Sequence, residues 1–204
     1  LRQQVPVIKE VLQAMGVKII EQAGLEADDL LGTISKRCEN QGMDVAIISG
    51  DRDLLQLATE KIKIRIPKTK QGKTEVEDYY ATDVKARYEV TPKEFIDLKA
   101  LMGDSSDNIP GVAGVGEKTA AGLIQNFGTL ESIYENIEDK RITKGVREKL
   151  LRDKDNAYLS YDLATIRTNA PIDFAPRDAI IQPHNRPELY RLFTELEFVR
   201  LIDK

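Results

Sequence analysis

A run of four apolar residues, Val45–Ile48, constrains the fold of this chain more than any other feature. The run has the length of a strand, and its lack of alternation is typical of a strand buried on both faces of a parallel sheet. Further strands are predicted at residues 17–20 and 61–66, the second because basic residues alternate with isoleucine there. Helical spacing of apolar residues predicts helices over 25–38 and 52–58. This order predicts an α/β fold with a parallel sheet flanked by helices.

The second half of the chain has the spacing of helices. Thr91 and Glu94 form the pattern of a capping box, which predicts a helix that runs to Met102. Further helices are predicted over 82–88, 118–127, 129–137, 146–166 and 187–201. We therefore expect three parts, namely an α/β part at 1–80, a helical part at 81–170, and a loop with a closing helix at 171–204.

The composition excludes several kinds of site. A single cysteine, Cys38, and a single histidine, His184, make cysteine- or histidine-based metal sites and a Ser-His-Asp triad improbable. One cysteine also rules out an internal disulfide and fits a reducing, cytoplasmic compartment. No stretch approaches the roughly 18 apolar residues of a membrane span, so no membrane partner is expected. Any catalysis would depend on carboxylates, lysines, backbone groups and hard metal ions.

Positive charge is concentrated in two windows, although the formal net charge is −4. Residues 61–73 contain six basic and no acidic residues, and residues 140–154 contain seven basic and two acidic residues. Such segregation is typical of a protein that holds a polyanion on one surface and metal ions on another. The alternative is that both windows are ordinary solvated faces.

Seven carboxylates fall into three short clusters. The clusters are Glu26, Asp28 and Asp29, then Asp51 and Asp53, and finally Asp104 and Asp107. Each has a structural alternative, since acidic residues favour the first turn of a helix, N-caps and turns. The second cluster directly follows the buried strand, where ligands bind in open α/β sheets. Because oxygen donors without usable histidine or cysteine select hard cations, the clusters together predict Mg²⁺ or Mn²⁺, with room for two ions.

A glycine-rich segment, residues 111–120, predicts an anion site. Gly111, Gly114 and Gly116 allow a tight turn, and the helix that follows points free N–H groups into the same space, where Lys118 and Thr119 lie. A dinucleotide fingerprint would require a preceding strand, whereas a helix and a loop precede these glycines. The pattern favours a helix–hairpin–helix that binds a DNA backbone without base specificity. The alternative is a glycine-rich helix connection.

Four motifs in one order resemble the 5′ nuclease domain of bacterial DNA polymerase I. They are Glu26-Ala27-Asp28-Asp29, Ile48-Ser49-Gly50-Asp51-Arg52-Asp53, the segment from Leu101 to Gly111, and Gly114-Val115-Gly116-Glu117-Lys118-Thr119-Ala120. The resemblance implies membership of the flap endonuclease superfamily, with a PIN-like α/β fold followed by a helical subdomain. The subdomain would contain a helix–three-turn–helix at about residues 91–127, which grips duplex DNA around a K⁺ ion.

The resemblance also implies roles for the carboxylates. Glu26 and Asp28, with Asp29 close by, would serve the first of two Mg²⁺ or Mn²⁺ ions. The second ion would be served by Asp51, Asp53, Asp104 and Asp107. Asp28, Asp51 and Asp53 would be the catalytic members, and Gly111, Gly114, Gly116, Lys118 and Thr119 would bind DNA. The expected activity is cleavage of phosphodiesters at 5′ ends and flaps in DNA or RNA-primed DNA during replication and repair.

The family pattern further implies a polymerase partner, and it includes an N-terminal segment that this sequence does not contain. Its members carry a polymerase C-terminal to the nuclease and act on DNA in the bacterial cytoplasm, at the nucleoid. The pattern also places a segment before Leu1, with further metal-binding aspartates and a basic arch. Without those ligands, the chain would be a non-catalytic DNA-binding remnant of the domain. A phosphatase of another α/β family is a third hypothesis, because Asp51-Arg52-Asp53 also resembles an Asp-x-Asp nucleophile site.

Overall fold

The structure is a computed structural model, and it describes residues 2–70 and 72–202. A small sheet and its helices form the first part of the chain, and the second part is helical. The described helices and strands are α1 (Gln4–Ala14), α2 (Ala27–Asn40), β1 (Val45–Ile48), β2 (Ile62–Lys70), β3 (Lys73–Tyr79), α3 (Ala81–Tyr88), α4 (Glu94–Met102), α5 (Glu117–Phe127), α6 (Leu130–Glu135), α7 (Lys144–Arg152), α8 (Lys154–Ala164), α9 (Arg186–Glu195) and α10 (Val199–Ile202). Two 3₁₀ helices cover Asp53–Leu57 and Pro176–Ala179.

The sheet has the order β1-β2-β3 and is mixed. β1 and β2 are parallel, with Val45 opposite Ile62, whereas β2 and β3 form an antiparallel pair with Ile64 opposite Tyr79. The parallel pair requires a crossover, and the 3₁₀ helix after β1 lies on that crossover. The α/β fold predicted from the sequence is therefore confirmed, with a sheet that is parallel in its first half only.

Three local predictions were wrong, and one strand was missed. The single helix predicted over 187–201 ends at Glu195, and Val199–Ile202 form a separate short helix. Residues 17–20 form no strand, and Ile20 instead packs against a small cluster that contains Leu30 and Ile172. The single helix predicted over 146–166 is broken at Asp153, which ends α7 and precedes α8. The strand β3 was not predicted, because it is exposed on both faces over most of its length and so lacks an apolar alternation.

Three of the six basic residues in the first window pair with acidic residues of the neighbouring strand. Lys63 and Arg65 on β2 both contact Asp78 on β3, with Arg65 Nε 2.8 Å from the carboxylate. Lys68 on β2 pairs with Glu77 on β3 in the same way. Opposite charges across an antiparallel pair stabilise its register. Lys63, Arg65 and Lys68 therefore form a charge-paired face of the hairpin.

The main core surrounds α4. Phe95, Leu98 and Leu101 are almost completely buried, and the helix packs against α5, α8 and the 3₁₀ helix that follows β1. Thr91 and Glu94 form the predicted capping box, with the Thr91 N–H donating to Glu94 and the Glu94 N–H donating to Thr91 Oγ1. α4 thus joins the sheet to the helical part and holds the loop that follows it.

Two smaller clusters hold the ends of the chain. α1 packs on α9 through Ala14, Leu189 and Leu192. Arg37 on α2 donates hydrogen bonds to the carbonyl groups of Ile172 and Phe174, which fixes the irregular segment after α8. Within the described ranges, none of the helices combines the length and the apolar character that a bilayer crossing needs.

Candidate metal centre and nucleic-acid interface

A tight turn after β1 positions Asp51 and Asp53. The Ser49 hydroxyl accepts the N–H of Asp51 at 3.1 Å, and Asp51 Oδ1 accepts the N–H of Asp53 at 2.9 Å. This Asx-turn starts the 3₁₀ helix, whose Leu54 and Leu55 are fully buried. Burial of the two leucines fixes the backbone of Asp53. Asp51 uses only Oδ1 to hold this turn, so its other carboxylate oxygen can still bind a cation.

The loop after α4 closes on itself and presents Asp104 and Asp107. The backbone N–H and C=O of Asp104 pair with those of Ile109 at 2.9 and 2.8 Å. The N–H of Ser106 donates to Asp104 Oδ1 at 2.9 Å. One carboxylate oxygen from each of Asp53, Asp104 and Asp107 lies within 4.8 Å of the others. The structure therefore brings together one residue after β1 and two residues of the α4 loop.

Lys99 lies inside this carboxylate group. Its Nζ is 2.5 Å from Asp53 Oδ1 and also donates a hydrogen bond to Asp104 Oδ2, while the side chain is only 8% exposed. The contact with Asp53 is an ion pair without hydrogen-bond geometry, and Asp53 Oδ1 has no hydrogen bond within the described part of the chain. The partly buried carboxylates of Asp53 and Asp104 thus already share one cation that belongs to the protein.

The charges of this group shift its pKa values in different directions. Hydrogen bonds from Lys99 and Ser106 lower the pKa of Asp104 to about 2. Burial raises the pKa of Asp53, although the ion pair with Lys99 opposes the shift. Burial alone would lower the pKa of Lys99, but its hydrogen bond to Asp104 and its charge contacts with both carboxylates outweigh burial and raise it. Lys99 therefore stays charged at neutral pH.

The first carboxylate cluster begins α2. Glu26 is extended at the N-cap position and exposed, and Asp28 lies in the first turn. Asp29 is 9% exposed, and its Oδ1 accepts the N–H of Arg167 at 2.8 Å, so part of its role is to hold the segment after α8. Burial raises the pKa of Asp28, and the nearby charges of Asp51, Asp53, Glu26 and Asp29 raise it further.

One open cleft joins the clusters. It is lined by Glu26, Asp28, Asp29, Asp51, Asp53, Asp107, Ile109 and the end of α8 with the two residues after it. A second cleft contacts Asp51, Lys99, Asp104 and Asp107. Asp51 and Asp107 line both clefts, so the seven predicted carboxylates lie around two neighbouring clefts.

The donor set fits hard divalent cations. The described side chains offer carboxylate oxygens and no histidine or cysteine at these clefts, as Mg²⁺ and Mn²⁺ prefer. Burial is the main cause of the raised pKa of Asp28, and the charges of the neighbouring carboxylates add to it, as expected of an acidic cluster that a cation would stabilise. Asp53, Asp104 and Asp107 are the residues that could hold one ion, with Asp51 beside them.

The glycine-rich loop lies directly after the metal-site loop. Gly111 is buried, and its N–H donates to Ser160 Oγ at 2.8 Å, so this glycine shapes the loop and offers no free amide. Gly114, Gly116, Lys118 and Thr119 are exposed. α5 begins after Gly116, which has no side chain to cap the first-turn N–H groups. An uncapped, exposed helix N-terminus with a lysine is suited to bind an anion.

Two functional residues escaped the sequence reasoning. Lys99 shares the apolar face of α4 with Phe95 and Met102, and a lysine at such a position is the signal that could have revealed it. Ser160 on α8 is completely buried and holds the N–H of Gly111, but a serine within a helix carries no distinct signal in the sequence.

Solved structures of phage nucleases are similar to this chain. The T5 5′-exonuclease with bound zinc is 28% identical with a TM-score of 0.64, covering 73% of this chain and 53% of its own. A bacteriophage T5 D15 flap endonuclease complex with DNA and metal ions is 26% identical with a TM-score of 0.62, covering 87% of this chain and 62% of its own. The catalytic core of Rad2 with DNA substrate, 20% identical with a TM-score of 0.67, covers 96% of this chain and 65% of its own and shares the fold.

Curated relatives are similar over the whole chain. DNA polymerase I of Bacillus subtilis (strain 168) is 45% identical over 204 residues, and the match covers 100% of this chain and 23% of that protein. DNA polymerase I of Streptococcus pneumoniae (strain R6) is 44% identical over 200 residues, covering 98% of this chain and 22% of that protein. The chain therefore spans less than a quarter of the length of these relatives.

Two family models match adjacent segments of the chain. Residues 1–89 match the 5'-3' exonuclease, N-terminal resolvase-like domain, and residues 90–187 match the 5'-3' exonuclease, C-terminal SAM fold. The carboxylate clusters fall in both segments, and the glycine-rich loop falls in the second. The chain thus belongs to the 5′-3′ exonuclease family, as the four motifs in its sequence predicted.

Proposed function

We propose that this chain is a structure-specific 5′ nuclease that hydrolyses phosphodiesters at 5′ ends and flaps of DNA or RNA-primed DNA. The observation that carries the proposal is the convergence of Asp53, Asp104 and Asp107 within 4.8 Å, beside an acidic cleft and directly before an anion-binding loop. A site for cations and a site for the DNA backbone then lie on one segment of the chain. Metal-dependent hydrolysis of a DNA phosphodiester uses both.

The carboxylates would hold two Mg²⁺ or Mn²⁺ ions, as the family resemblance implies. Bound ions of this kind neutralise phosphate charge and activate water, so no side-chain nucleophile is required. Asp51, Asp53, Asp104 and Asp107 would serve one ion, while Glu26, Asp28 and Asp29 would serve the other. Lys99 contacts Asp53 and Asp104 and would share these carboxylates with the ion. The T5 5′-exonuclease with bound zinc and the T5 D15 complex with metal ions support a metal cofactor, and the all-oxygen donor set favours Mg²⁺ or Mn²⁺.

The glycine-rich loop would grip the duplex behind the cut. Gly114, Gly116, Lys118 and Thr119 are exposed around the start of α5, where backbone N–H groups can donate to phosphate oxygens. Contacts of this kind fix position without reading bases, so binding should not depend on sequence. A K⁺ ion at the helix–three-turn–helix, implied by the resemblance, would add to the same contact.

The biological setting follows from the relatives. Because those relatives are bacterial DNA polymerases I that extend far beyond the matched region, we propose that the nuclease operates beside a polymerase on the same chain. Its substrates would be displaced flaps and RNA primers in replication and repair. The single cysteine agrees with work at the nucleoid in the reducing cytoplasm.

The test is cleavage of a 5′-flap duplex by the 204-residue chain with Mn²⁺ or Mg²⁺ and with EDTA. We expect metal-dependent release of the flap, and its loss in the double variant Asp51→Asn with Asp53→Asn, while DNA binding persists. Asp44→Asn, directly before β1 and outside the carboxylate clusters, is the control. Binding without cleavage would support the non-catalytic hypothesis, and turnover of a simple phosphate monoester would support the phosphatase.

A further inference from the structure

The end of α7 makes polar contacts with the tip of the glycine-rich loop. Asp153 Oδ2 accepts the N–H of Ala113 at 2.9 Å, and Arg152 donates to the Ala113 carbonyl at 3.2 Å. Lys149 Nζ donates to the Gly114 carbonyl at 2.9 Å. Three side chains from one helix end therefore occupy both polar backbone groups of Ala113 and the carbonyl of Gly114.

These three contacts act at the part of the loop that the core does not hold. Val112 and Val115 are buried and anchor the loop on either side, whereas Ala113 and Gly114 are exposed. Gly114 has a φ of +80°, and a Cβ at this position would lie 3.0 Å from Lys149 Nζ. The backbone conformation at the tip is thus matched to the lysine that contacts it.

The break between α7 and α8 places the Asp153 carboxylate against the glycine-rich loop. Asp153 has φ −107° and ψ 25°, which ends α7 and leaves its carboxylate only 13% exposed. Arg152 donates two hydrogen bonds to the same carboxylate, at 3.0 and 2.7 Å. These hydrogen bonds hold the pKa of Asp153 below its usual range, so the carboxylate is an acceptor at neutral pH.

An acidic side chain beside a DNA-binding loop is unfavourable by charge alone. A phosphate backbone repels a carboxylate, and removal of such a charge is expected to strengthen binding. Asp153 nevertheless lies against the loop that the proposed function assigns to DNA. A compensating structural role explains why a carboxylate occurs there.

We propose that Lys149, Arg152 and Asp153 form a clamp that positions the backbone of residues 113–116 for contact with DNA phosphates. This inference rests on the proposed function, since it requires that the loop binds DNA. The three are positioning residues that act through the loop backbone. Their effect should fall on the affinity for DNA and on KM, with kcat for the bound substrate unchanged.

Asp153→Ala tests the clamp because charge and positioning predict opposite signs. Loss of the negative charge alone would tighten binding, whereas loss of the acceptor for the Ala113 N–H would weaken it. We expect the Kd for a 5′-flap duplex and the KM to rise about fivefold, the equivalent of one hydrogen bond. Asp153→Asn keeps an acceptor oxygen and should bind close to the unaltered chain.

Asp155→Ala is the matched control. It removes the same charge two residues away, where the side chain is exposed, and it should bind DNA as tightly as the unaltered chain or more tightly. Amide hydrogen exchange of residues 113–116 should accelerate in Asp153→Ala and not in Asp155→Ala. Arg152→Met, compared with Arg177→Met in the exposed 3₁₀ helix, provides a second pair should Asp153→Ala fold poorly.

The outcomes separate the two proposals. Equal affinity and equal exchange in Asp153→Ala and Asp155→Ala, with normal DNA binding by the unaltered chain, would overturn the clamp alone. A failure of the unaltered chain to bind the duplex would overturn the proposed function and the clamp with it. Weaker binding and faster exchange in Asp153→Ala only, with kcat unchanged, would establish the clamp.

Discussion

Gly103 and Gly111 lie against each other at the neck of the loop that carries Asp104 and Asp107. A Cβ on Gly111 would lie 2.3 Å from the backbone nitrogen of Gly103 and 2.6 Å from its Cα, so only a glycine fits. Gly111 also has a φ of +59°, in the left-handed region. The neck closes the metal-site loop and is the point at which the glycine-rich loop begins.

Gly111→Ala should therefore disrupt the neck. The methyl group would overlap backbone atoms that cannot rotate away, and the backbone conformation would be strained. We expect a loss of at least about 2 kcal/mol in the free energy of unfolding, measured by urea denaturation. The rate of cleavage should fall by more than the loss of folded protein explains, because Asp104 and Asp107 would move with the neck.

Gly145→Ala is the control for this substitution. Gly145 lies in α7, nothing approaches the position of its Cβ, and alanine favours a helix. Its free energy of unfolding should stay unchanged or rise. Equal stability of the two alanine variants would mean that the neck opens easily.

Lys99→Met should make the protein more dependent on divalent ions. Without the ammonium group, Asp53 and Asp104 lose the cation that compensates them. We expect the free energy of unfolding in EDTA to fall by about 1–3 kcal/mol and the rise in Tm on adding Mn²⁺ to increase. Thermal unfolding with and without Mn²⁺ measures both effects.

The control is Lys85→Met, which removes an exposed ammonium group on α3. Its Tm should respond to Mn²⁺ as the unaltered chain does. If Lys99→Met also showed an unchanged response, the lysine and the ion would not compete for the same carboxylates, and the assignment of Asp53 and Asp104 as ligands would lose support.

Asp97 should make stability depend on pH. It is 4% exposed on α4, and its Oδ1 accepts the N–H of Leu130 at 2.8 Å. Burial raises the pKa of Asp97, so the folded state holds the proton more strongly than the unfolded chain, where a carboxyl titrates near about 4. The ionised carboxylate therefore lowers stability as the pH rises above that value.

Asp97→Asn keeps the acceptor and removes the titration. Urea denaturation at each pH measures the difference in stability between this variant and the unaltered chain. We expect the variant to be more stable, relative to the unaltered chain, at pH 7 than at pH 4. Asp97→Ala also loses the acceptor and should be less stable by about 1–3 kcal/mol at pH 4. A difference between Asp97→Asn and the unaltered chain that does not vary with pH would contradict the expected shift.

Lys118→Ala should weaken DNA binding equally for all base sequences. Lys118 is exposed in the first turn of α5, where a phosphate contact is expected. One lost phosphate contact should reduce the slope of log Kd against log salt by about 1. Lys68→Ala, in the charge-paired hairpin, should leave the slope unchanged. An unchanged slope in Lys118→Ala would remove this lysine from the interface.

Local patterns predicted the parts of the fold that depend on neighbouring residues. The capping box of Thr91 and Glu94, the strand β1 and the position of Asp51 after it all follow from local chemistry. The strand prediction for residues 17–20 was wrong because a short apolar run can also belong to a segment that packs on a core without pairing with another strand. Periodicity alone does not separate the two.

Long-range contacts explain what the sequence could not predict at the site. Seven carboxylates in three clusters predicted a cation site, but the pairing of Lys99 with Asp53 and Asp104 depends on how α4 lies against the turn after β1. The role of Asp153 could not be predicted for the same reason, because its carboxylate contacts Ala113, forty positions earlier in the chain. Such partners become apparent only once the helices are packed.

The closed neck between Gly103 and Gly111 fixes the distance between the metal-site loop and the glycine-rich loop. Asp104 and Asp107, which would act on the phosphodiester, and the loop that would hold the duplex are joined at this neck by the paired backbones of Asp104 and Ile109 and the close approach of Gly103 and Gly111. The spacing between grip and cut should therefore be a property of the protein and not of its substrate. A single preferred cleavage position, counted from the duplex end, is expected whatever the length or base composition of the flap.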